Sequence, residues 1–139
     1  NLLADIKEKM VRKADISLPL YGSVPAGAAT LEEQVPDTWV SVAENLVTEP
    51  ESCYLLKVRG DSMLGAGILP GDTVVVNFYR TPKAGDIVVA LIDGESTVKR
   101  LVQDGKYVYL KAENAAYQDL HPVSELSIQG VVAALIRNY

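Results

Sequence analysis

The chain has 139 residues with a formal net charge of −5; 48% of its residues are hydrophobic and 22% are charged. This length and composition are typical of one globular domain and exclude a chain that is disordered throughout. A protein that holds nucleic acid through its phosphates needs a basic patch, and no run of lysines and arginines supplies one here. The sequence therefore predicts that the chain does not bind DNA by itself.

Cysteine usage and hydropathy indicate the compartment. The single cysteine, Cys53, cannot form a disulfide within the chain, which fits a reducing environment. No apolar run is long enough to span a membrane, and no signal peptide is visible. We therefore expect a cytoplasmic protein without a membrane partner.

Residues 1–16 differ in composition from the rest of the chain. Their apolar residues recur at roughly helical spacing among several lysines and an arginine. This pattern predicts a short, solvated helix or a frayed linker, which makes the segment a linker or tail. A docking arm for a partner is the alternative interpretation.

Residues 17–30 are rich in small residues and contain two prolines, which disfavour a helix. The segment is either an ordinary loop or edge strand, or a peptide shaped to lie as a strand in a cleft. Around Ala26 and Gly27 the side chains are small enough for another group to approach the backbone closely. The bond between them is not an X-Pro bond, so a leaving amine can form normally.

The middle of the chain has a mixed pattern and the rest has a β pattern. In residues 31–50, Trp39 is predicted to be a packing point and residues 42–47 to form one helical turn. Later apolar, β-branched runs predict strands over residues 54–58, 73–78, 86–92, 96–102, 107–111 and 127–136. Asp-Gly steps at 93–94 and 104–105 are hairpin signals. We predict a mostly β fold, either a sandwich or a partly open barrel, with short helical turns.

A candidate nucleophile, Ser62, lies in the sequence Gly60-Asp61-Ser62-Met63 directly after the first of these strands. A serine hydroxyl is a weak nucleophile until a neighbouring base removes its proton. A serine at the start of a helical turn lies beside free backbone N–H groups, which can hold the oxyanion of a tetrahedral intermediate. The alternative is a simple turn in which Asp61 caps the next segment. The Gly-x-Ser motif alone does not decide between them.

A candidate base, Lys99, lies inside the predicted strand 96–102. Because side chains alternate across a strand, Lys99 shares a face with Thr97 while Arg100 points to the other face. A lysine loses its proton when burial lowers its pKa, whereas an arginine does not. Thr97 is positioned to hydrogen-bond the amine and orient it. The alternative is an ordinary lysine on the surface.

Other catalytic groups are less well supported. His121, the only histidine, precedes Pro122 in a predicted loop and is interpreted as a surface residue rather than as part of a Ser-His-Asp triad. One histidine and one cysteine fall short of the usual zinc ligand set. We therefore expect no metal and no other cofactor.

Several short motifs occur in a fixed order along residues 17–139: Leu18-Pro19-Leu20-Tyr21-Gly22-Ser23-Val24-Pro25-Ala26-Gly27, Gly60-Asp61-Ser62-Met63, Ile68-Leu69-Pro70-Gly71-Asp72, Gly85-Asp86-Ile87-Val88, Thr97-Val98-Lys99-Arg100-Leu101 and Glu113-Asn114. In this order and spacing, and with the ending at 131–138, they resemble the C-terminal domain of LexA-type repressors. That family includes UmuD-like proteins and phage repressors.

The resemblance implies a self-cleaving peptidase. In this interpretation Ser62 attacks the carbonyl of Ala26, Lys99 acts as the general base, and the N–H groups of Asp61 and Ser62 form the oxyanion hole. The cut falls between Ala26 and Gly27. Residues 17–30 are then the cleavage-site segment and residues 31–139 the Ser-Lys peptidase and dimerisation domain, which forms a homodimer with its C-terminal strand at or near the interface.

The resemblance also implies a trigger. In family members the activated RecA–single-stranded DNA filament favours the form in which the cleavage segment is docked at the serine–lysine pair. Cleavage inactivates the repressor and opens the SOS response to DNA damage. We expect the same partner for this chain.

A LexA repressor carries an N-terminal winged helix-turn-helix domain, and none fits into residues 1–16. We expect a fragment of a longer repressor that binds operator DNA only through that absent domain. The alternative is a UmuD-like accessory subunit of a translesion DNA polymerase. A signal peptidase would need an apolar anchor, which is missing. The presence of Ser62, Lys99 and Ala26-Gly27 argues against a purely structural dimerisation domain.

Overall fold

The computed structural model describes residues 1–9, 15–22 and 35–139. Within these ranges the chain forms one α-helix, α1 (Leu2–Lys9), and three short 3₁₀ turns, at Glu44–Leu46, Pro50–Ser52 and Leu64–Ala66. The rest of the regular structure is β, in strands β1 (Asp15–Tyr21), β2 (Thr38–Ala43), β3 (Cys53–Lys57), β4 (Thr73–Asn77), β5 (Ile87–Ile92), β6 (Glu95–Asp104), β7 (Tyr107–Lys111) and β8 (Leu126–Ile136).

The eight described strands form one mixed sheet in the order β2-β1-β3-β4-β8-β5-β6-β7. The β1–β3 pair is parallel, and the other described pairs are antiparallel. The predicted mostly β class is confirmed, and the sheet is not closed into a barrel. Strand β8 lies between β4 and β5 and therefore joins the two halves of the sheet.

The six predicted strands correspond to β3 through β8, with bounds that differ by at most two residues. The hairpin signals are confirmed by backbone geometry. Asp93 and Gly94 have φ values of 48° and 86°, as a two-residue loop between β5 and β6 requires. Gly105, between β6 and β7, has a φ of 63°.

Strand β2 is the element that the sequence pattern does not reveal. It pairs with β1 at one edge of the sheet, where Val42 packs with Leu18 in the core. Trp39, predicted to be a packing point, is instead 61% exposed. Successive side chains of a strand point to opposite faces, and the tryptophan falls on the face of this edge strand that stays open. A 3₁₀ turn follows at Glu44–Leu46, inside the predicted turn at 42–47.

One face of the sheet carries a core cluster that spans both halves. Val76 of β4 and Val89 of β5 belong to it, together with Met63 and Ile68 from the loop that follows β3. This loop therefore crosses the sheet and covers strands of both halves. The opposite face carries two separate clusters, one around Leu55 and Val75 and the other around residues of β5, β6 and β7.

Helix α1 begins after Asn1, whose side-chain oxygen accepts a hydrogen bond from the N–H of Ala4 at 2.8 Å. Its apolar residues Leu2, Leu3 and Ile6 are exposed. Neither α1 nor any other helix in the described part of the chain combines the length and the hydropathy needed to cross a membrane.

An ion pair ties the end of β8 to the turn before β4. The guanidinium of Arg137 donates two hydrogen bonds to the carboxylate of Asp72, at 2.8 and 2.7 Å, and the N–H of Leu69 donates a third at 2.7 Å. The Asp72 side chain is only 3% exposed. Arg137, followed by the Leu69 N–H, holds the pKa of this carboxyl below its ordinary value.

Replacing Arg137 tests this pair. Because Asp72 is buried and its folded-state pKa is depressed, its contribution to stability is present above the ordinary aspartate pKa and is lost as the pH falls through the depressed value. We expect Arg137→Met to lower the free energy of unfolding at neutral pH, but by less than the loss of a fully buried pair would, because the arginine is partly exposed. The variant should also lose less further stability on acidification than the native chain. Urea unfolding at several pH values measures both effects, with Arg80→Met as the exposed control; an unchanged acid dependence would contradict the assignment.

Candidate active site

Ser62 lies in a tight turn between β3 and β4. Gly60 has a φ of 74°, a conformation that glycine adopts without strain, and it lets the chain turn after Val58. Met63 is 2% exposed and is held in the core, and a single 3₁₀ turn follows at Leu64–Ala66. Ser62 itself is half-buried. The serine is thus fixed at the point where the chain folds back over the sheet.

The backbone of this turn offers two hydrogen-bond donors. The N–H of Leu64 donates to the carbonyl oxygen of Asp61 at 3.3 Å. The N–H groups of Asp61 and Ser62 donate to no acceptor among the described residues. Two adjacent donors of this kind are able to bind an anionic oxygen.

A second turn, residues 113–117, packs against the Ser62 turn. The N–H of Glu113 donates to the carbonyl oxygen of Ser62 at 2.9 Å, and the N–H of Gly65 donates to the carbonyl oxygen of Glu113 at 2.7 Å. A Cβ atom at position 65 would lie 2.7 Å from that oxygen, so a residue other than glycine would force the turns apart. The carboxylate of Glu113 also accepts from the guanidinium of Arg100 at 2.5 Å. Glu113 therefore connects the Ser62 turn to the strand that carries Lys99.

Lys99 lies in the middle of β6, opposite Val88 of β5, and is 8% exposed. Its amine donates a hydrogen bond to the hydroxyl of Thr97 at 2.5 Å. Burial lowers the pKa of the Lys99 amine from its ordinary value, because the charged form loses its contact with water. The neighbouring Arg100 is half-buried and paired with Glu113. Of the two adjacent cations, the buried one is the one that can lose a proton.

A cleft of about 130 Å³ lies beside this amine. It is lined by Lys99 and Thr97 of β6, by Arg59 from the chain leading into the Ser62 turn, and by Gly22 directly after β1. The remaining lining residues are Leu56, Lys57, Ser96 and Val98. The cleft therefore brings the predicted base and its hydroxyl partner next to Gly22, the last described residue after β1.

Ser62 is not among the residues that line this cleft. Among the side-chain hydrogen bonds of residues 1–9, 15–22 and 35–139, none joins the Ser62 hydroxyl to the Lys99 amine. One residue connects the two: Arg59, three residues before Ser62, lines the cleft that contains Lys99. Met63 belongs to the core cluster against which Val98 packs, on the face of β6 opposite to Lys99.

The predicted cleavage residues, Ala26 and Gly27, lie outside the described residues. The chain leading to them is described as far as Gly22, four residues before Ala26.

The described residues on either side of segment 23–34 lie next to each other. The N–H of Asp37 donates to the carbonyl oxygen of Leu20 at 2.9 Å, and the side chain of Arg59 donates to the carbonyl oxygen of Gly22 at 3.2 Å. A Cβ atom at Gly22 would lie 2.6 Å from a carboxylate oxygen of Asp37. Gly22 and Asp37 therefore lie close together, and Arg59 is hydrogen-bonded to Gly22.

His121 takes part in a different group of side chains. It is exposed, hydrogen-bonded to the hydroxyl of Tyr107 at 2.9 Å, and stacked on the rings of Tyr107 and Tyr109. The part of the chain that the structure describes contains no group of three or more His, Cys, Asp or Glu residues arranged to hold a metal ion.

A family model described as Peptidase S24-like matches residues 19–133, which is most of the chain and includes every described element of this site. The chain belongs to the S24-like peptidase family. The resemblance to LexA-type repressors is likewise confirmed by its relatives.

Three relatives of this S24-like chain are LexA repressors. One from Verrucomicrobium spinosum is 40% identical over 133 residues, which is 94% of this chain and 65% of the relative. One from Clostridium novyi is 36% identical over 139 residues, covering 96% of this chain and 66% of the relative. One from Caldicellulosiruptor saccharolyticus is 41% identical over 128 residues, covering 91% and 62%. The chain spans less than two thirds of the length of each.

Several residues of the site are not predicted from residue chemistry. Arg59 and Asp37 are exposed charges in the sequence pattern, and Asn114 and Tyr117 lie in an irregular stretch after β7. Their contacts join segments that are far apart in the chain, so no local period reveals them. The one available signal is that Glu113-Asn114 is among the motifs that resemble the family.

The Lys99–Thr97 contact predicts a measurable titration. We expect the pKa of the Lys99 amine to lie below the ordinary lysine value of about 10.4, because burial disfavours its charged form. Thr97→Val should lower the pKa of Lys99 further, since the hydroxyl that accepts from the ammonium is removed. NMR titration of the lysine side chains measures both effects. A pKa of Lys99 at or above the ordinary value would contradict the burial argument.

Proposed function

We propose that this chain is the self-cleaving peptidase domain of a LexA-like repressor and that it cuts its own bond between Ala26 and Gly27. The observation that carries the proposal is the cleft that contains both Lys99 and Gly22. Gly22 leads directly into the segment with the predicted bond, so the substrate is tethered beside the base. A tethered substrate reaches the reacting groups at a high effective concentration.

In the proposed first step the hydroxyl oxygen of Ser62 attacks the carbonyl carbon of Ala26. The neutral amine of Lys99 takes the hydroxyl proton as the new C–O bond forms. The lowered pKa of Lys99 supports this role, because a base must be unprotonated before it acts. The hydroxyl of Thr97, which accepts from the amine at 2.5 Å, orients it.

The tetrahedral intermediate carries a negative oxygen. We assign its stabilisation to the N–H groups of Asp61 and Ser62, which point to no acceptor among the described residues. Collapse of the intermediate breaks the Ala26–Gly27 bond, and the protonated Lys99 returns a proton to the amine of Gly27. Water then hydrolyses the ester on Ser62, which releases the carboxyl group of Ala26 and restores the serine.

Because the substrate is part of the same chain, cleavage needs a step that determines when it occurs. In the proposed mechanism the segment must dock in the cleft, and docking completes the burial of the Lys99 amine. A partner that binds the docked form better shifts the population without taking part in the chemistry. We propose that the RecA–single-stranded DNA filament is that partner and that cleavage relieves repression in the SOS response.

The wider assembly is proposed from the same family. We propose a cytoplasmic homodimer in which residues 1–16 are a linker or tail, residues 17–30 the cleavage segment and residues 31–139 the peptidase and dimerisation domain. Operator DNA would be bound through a helix-turn-helix domain outside these residues. The LexA names of the relatives favour a repressor over a UmuD-like subunit. Binding to a translesion polymerase would support that second function instead.

Loss of either reacting side chain should stop the reaction. We expect Ser62→Ala and Lys99→Ala to reduce self-cleavage by about 10⁴-fold or more, because nucleophile and base act as a unit. Intact mass spectrometry after incubation at alkaline pH, with and without RecA filament, identifies the cut from the masses of the two fragments. Ser41→Ala and Lys106→Ala, both at exposed positions, are the matched controls. Fragments from the Ser62→Ala chain would rule out Ser62 as the nucleophile.

The unassisted reaction should depend on pH. Because only the neutral Lys99 amine accepts a proton, we expect the cleavage rate to rise from neutral to alkaline pH and to level off above the pKa of Lys99. The midpoint should lie below the ordinary lysine pKa of about 10.4. Initial rates measured by mass spectrometry across this range give the profile. A rate that stays flat would exclude Lys99 as the base.

A further inference from the structure

Asn114 makes two hydrogen bonds beside the proposed nucleophile. Its side-chain amide nitrogen donates to the carbonyl oxygen of Asp61 at 2.9 Å. Its side-chain oxygen accepts from the N–H of Ala116 at 3.0 Å, which holds the 113–117 turn in shape. The first bond connects two segments 53 residues apart in the chain. The proposed mechanism assigns no role to Asn114.

The position of the first bond has a geometric consequence. The carbonyl group of Asp61 and the N–H group of Ser62 belong to one planar, trans peptide unit, so they point in opposite directions. Both groups lie in the peptide plane on opposite sides of the C–N bond, so fixing the direction of the carbonyl oxygen also fixes the direction of the N–H. A hydrogen bond to the carbonyl also polarises the peptide and makes its N–H a better donor.

The other hydrogen bonds of Asp61 are either longer or made by its side chain instead of its carbonyl group. The N–H of Leu64 reaches the same carbonyl oxygen at 3.3 Å, a longer bond within the turn itself. The hydroxyl of Tyr117 donates at 2.5 Å to the side-chain carboxylate of Asp61, which is outside the peptide plane. Asn114 is therefore the side chain, among the described residues, that restrains the Asp61–Ser62 peptide from another part of the chain.

We propose that Asn114 is a positioning residue for the oxyanion hole, and that it aims the Ser62 N–H at the carbonyl oxygen under attack. The proposal rests on the proposed self-cleavage and adds a residue to it. Asn114 touches neither the substrate nor the reacting atoms. It acts through the peptide that it holds.

The experiment uses the full chain with Asn114→Asp. The aspartate keeps the size of the side chain and the oxygen that accepts from Ala116, but it loses the donor and sets a carboxylate oxygen against the Asp61 carbonyl. Removing one oxyanion donor typically costs about 10²–10³-fold in rate. Because the donor is misaimed rather than removed, we expect self-cleavage to fall by about 10- to 100-fold.

A second readout separates the oxyanion hole from docking of the cleavage segment. A fluorophosphonate probe forms a bond between its phosphorus and the Ser62 oxygen and releases fluoride, while Lys99 takes the hydroxyl proton. At alkaline pH, where the Lys99 amine is neutral without a docked segment, this labelling needs no docking. The phosphoryl oxygen of the probe develops charge in the same oxyanion site. We expect Asn114→Asp to slow labelling as it slows cleavage. In Asn114→Ala, which adds no charge, the pH midpoint of cleavage should stay unchanged.

Tyr117→Phe is the comparison variant, because it removes a neighbouring bond to Asp61 without touching the peptide plane. Its losses should be several-fold smaller than those of Asn114→Asp. Thermal unfolding verifies that both variants are folded. If Asn114→Asp does not fold, Asn114→Ala removes the same donor without adding a charge, and the same losses are expected.

Four results would overturn the proposal. Cleavage and labelling by the Asn114 variant within about threefold of the native chain would show that the bond has no role in the reaction. Equal losses in the two variants would indicate a merely structural turn. Slower cleavage with normal labelling would place the effect in segment docking. Absence of both activities in the native chain would reject the proposed function itself, and this inference with it.

Discussion

The amine of Lys99 lies where water has little access, with the hydroxyl of Thr97 as its hydrogen-bond partner. A charged ammonium in such a place is disfavoured, so the environment supports the neutral form that a base requires. The register of β6 determines this placement. Lys99 lies opposite Val88, which is fully buried, while Arg100 points to the other face and pairs with a carboxylate. The low pKa of the Lys99 amine therefore depends on the strand register that buries Lys99 and turns Arg100 to the other face.

The serine side of the site is built on a different physical basis. Its turn is shaped by backbone hydrogen bonds and one left-handed glycine, and it is anchored by the buried Met63. A turn of this kind has little intrinsic rigidity, since loops gain order from the elements that hold them. The 113–117 turn supplies that order, and the ion pair between Glu113 and Arg100 extends the connection to β6. The Ser62 turn and strand β6 are therefore both held by the 113–117 turn.

Much of the fold follows from local sequence, because β-branched runs and Asp-Gly turns specify β3 to β8 directly. Strand β2 is not recognisable from its own sequence, because its pairing with β1 at the sheet edge decides which face of the strand is covered. The exposure of Trp39 follows from that pairing. Period-two alternation identified Lys99 and Thr97 as a pair on one face. The contacts of Asn114 and Arg59 could not be predicted, because each depends on segments that meet only in the folded chain. Placement of Ala26 and Gly27 stays a prediction.

Strand β8 is the last described strand in chain order and yet lies in the middle of the sheet. The strands beside it on one side come from residues 15–77, and those on the other side from residues 87–111. A ribosome therefore delivers the serine and the lysine well before the strand that unites their halves. Until residues 126–136 emerge and insert, a nascent chain carries both groups on sheets that no strand joins. The two halves of the sheet are therefore joined only after the last described strand has been synthesised.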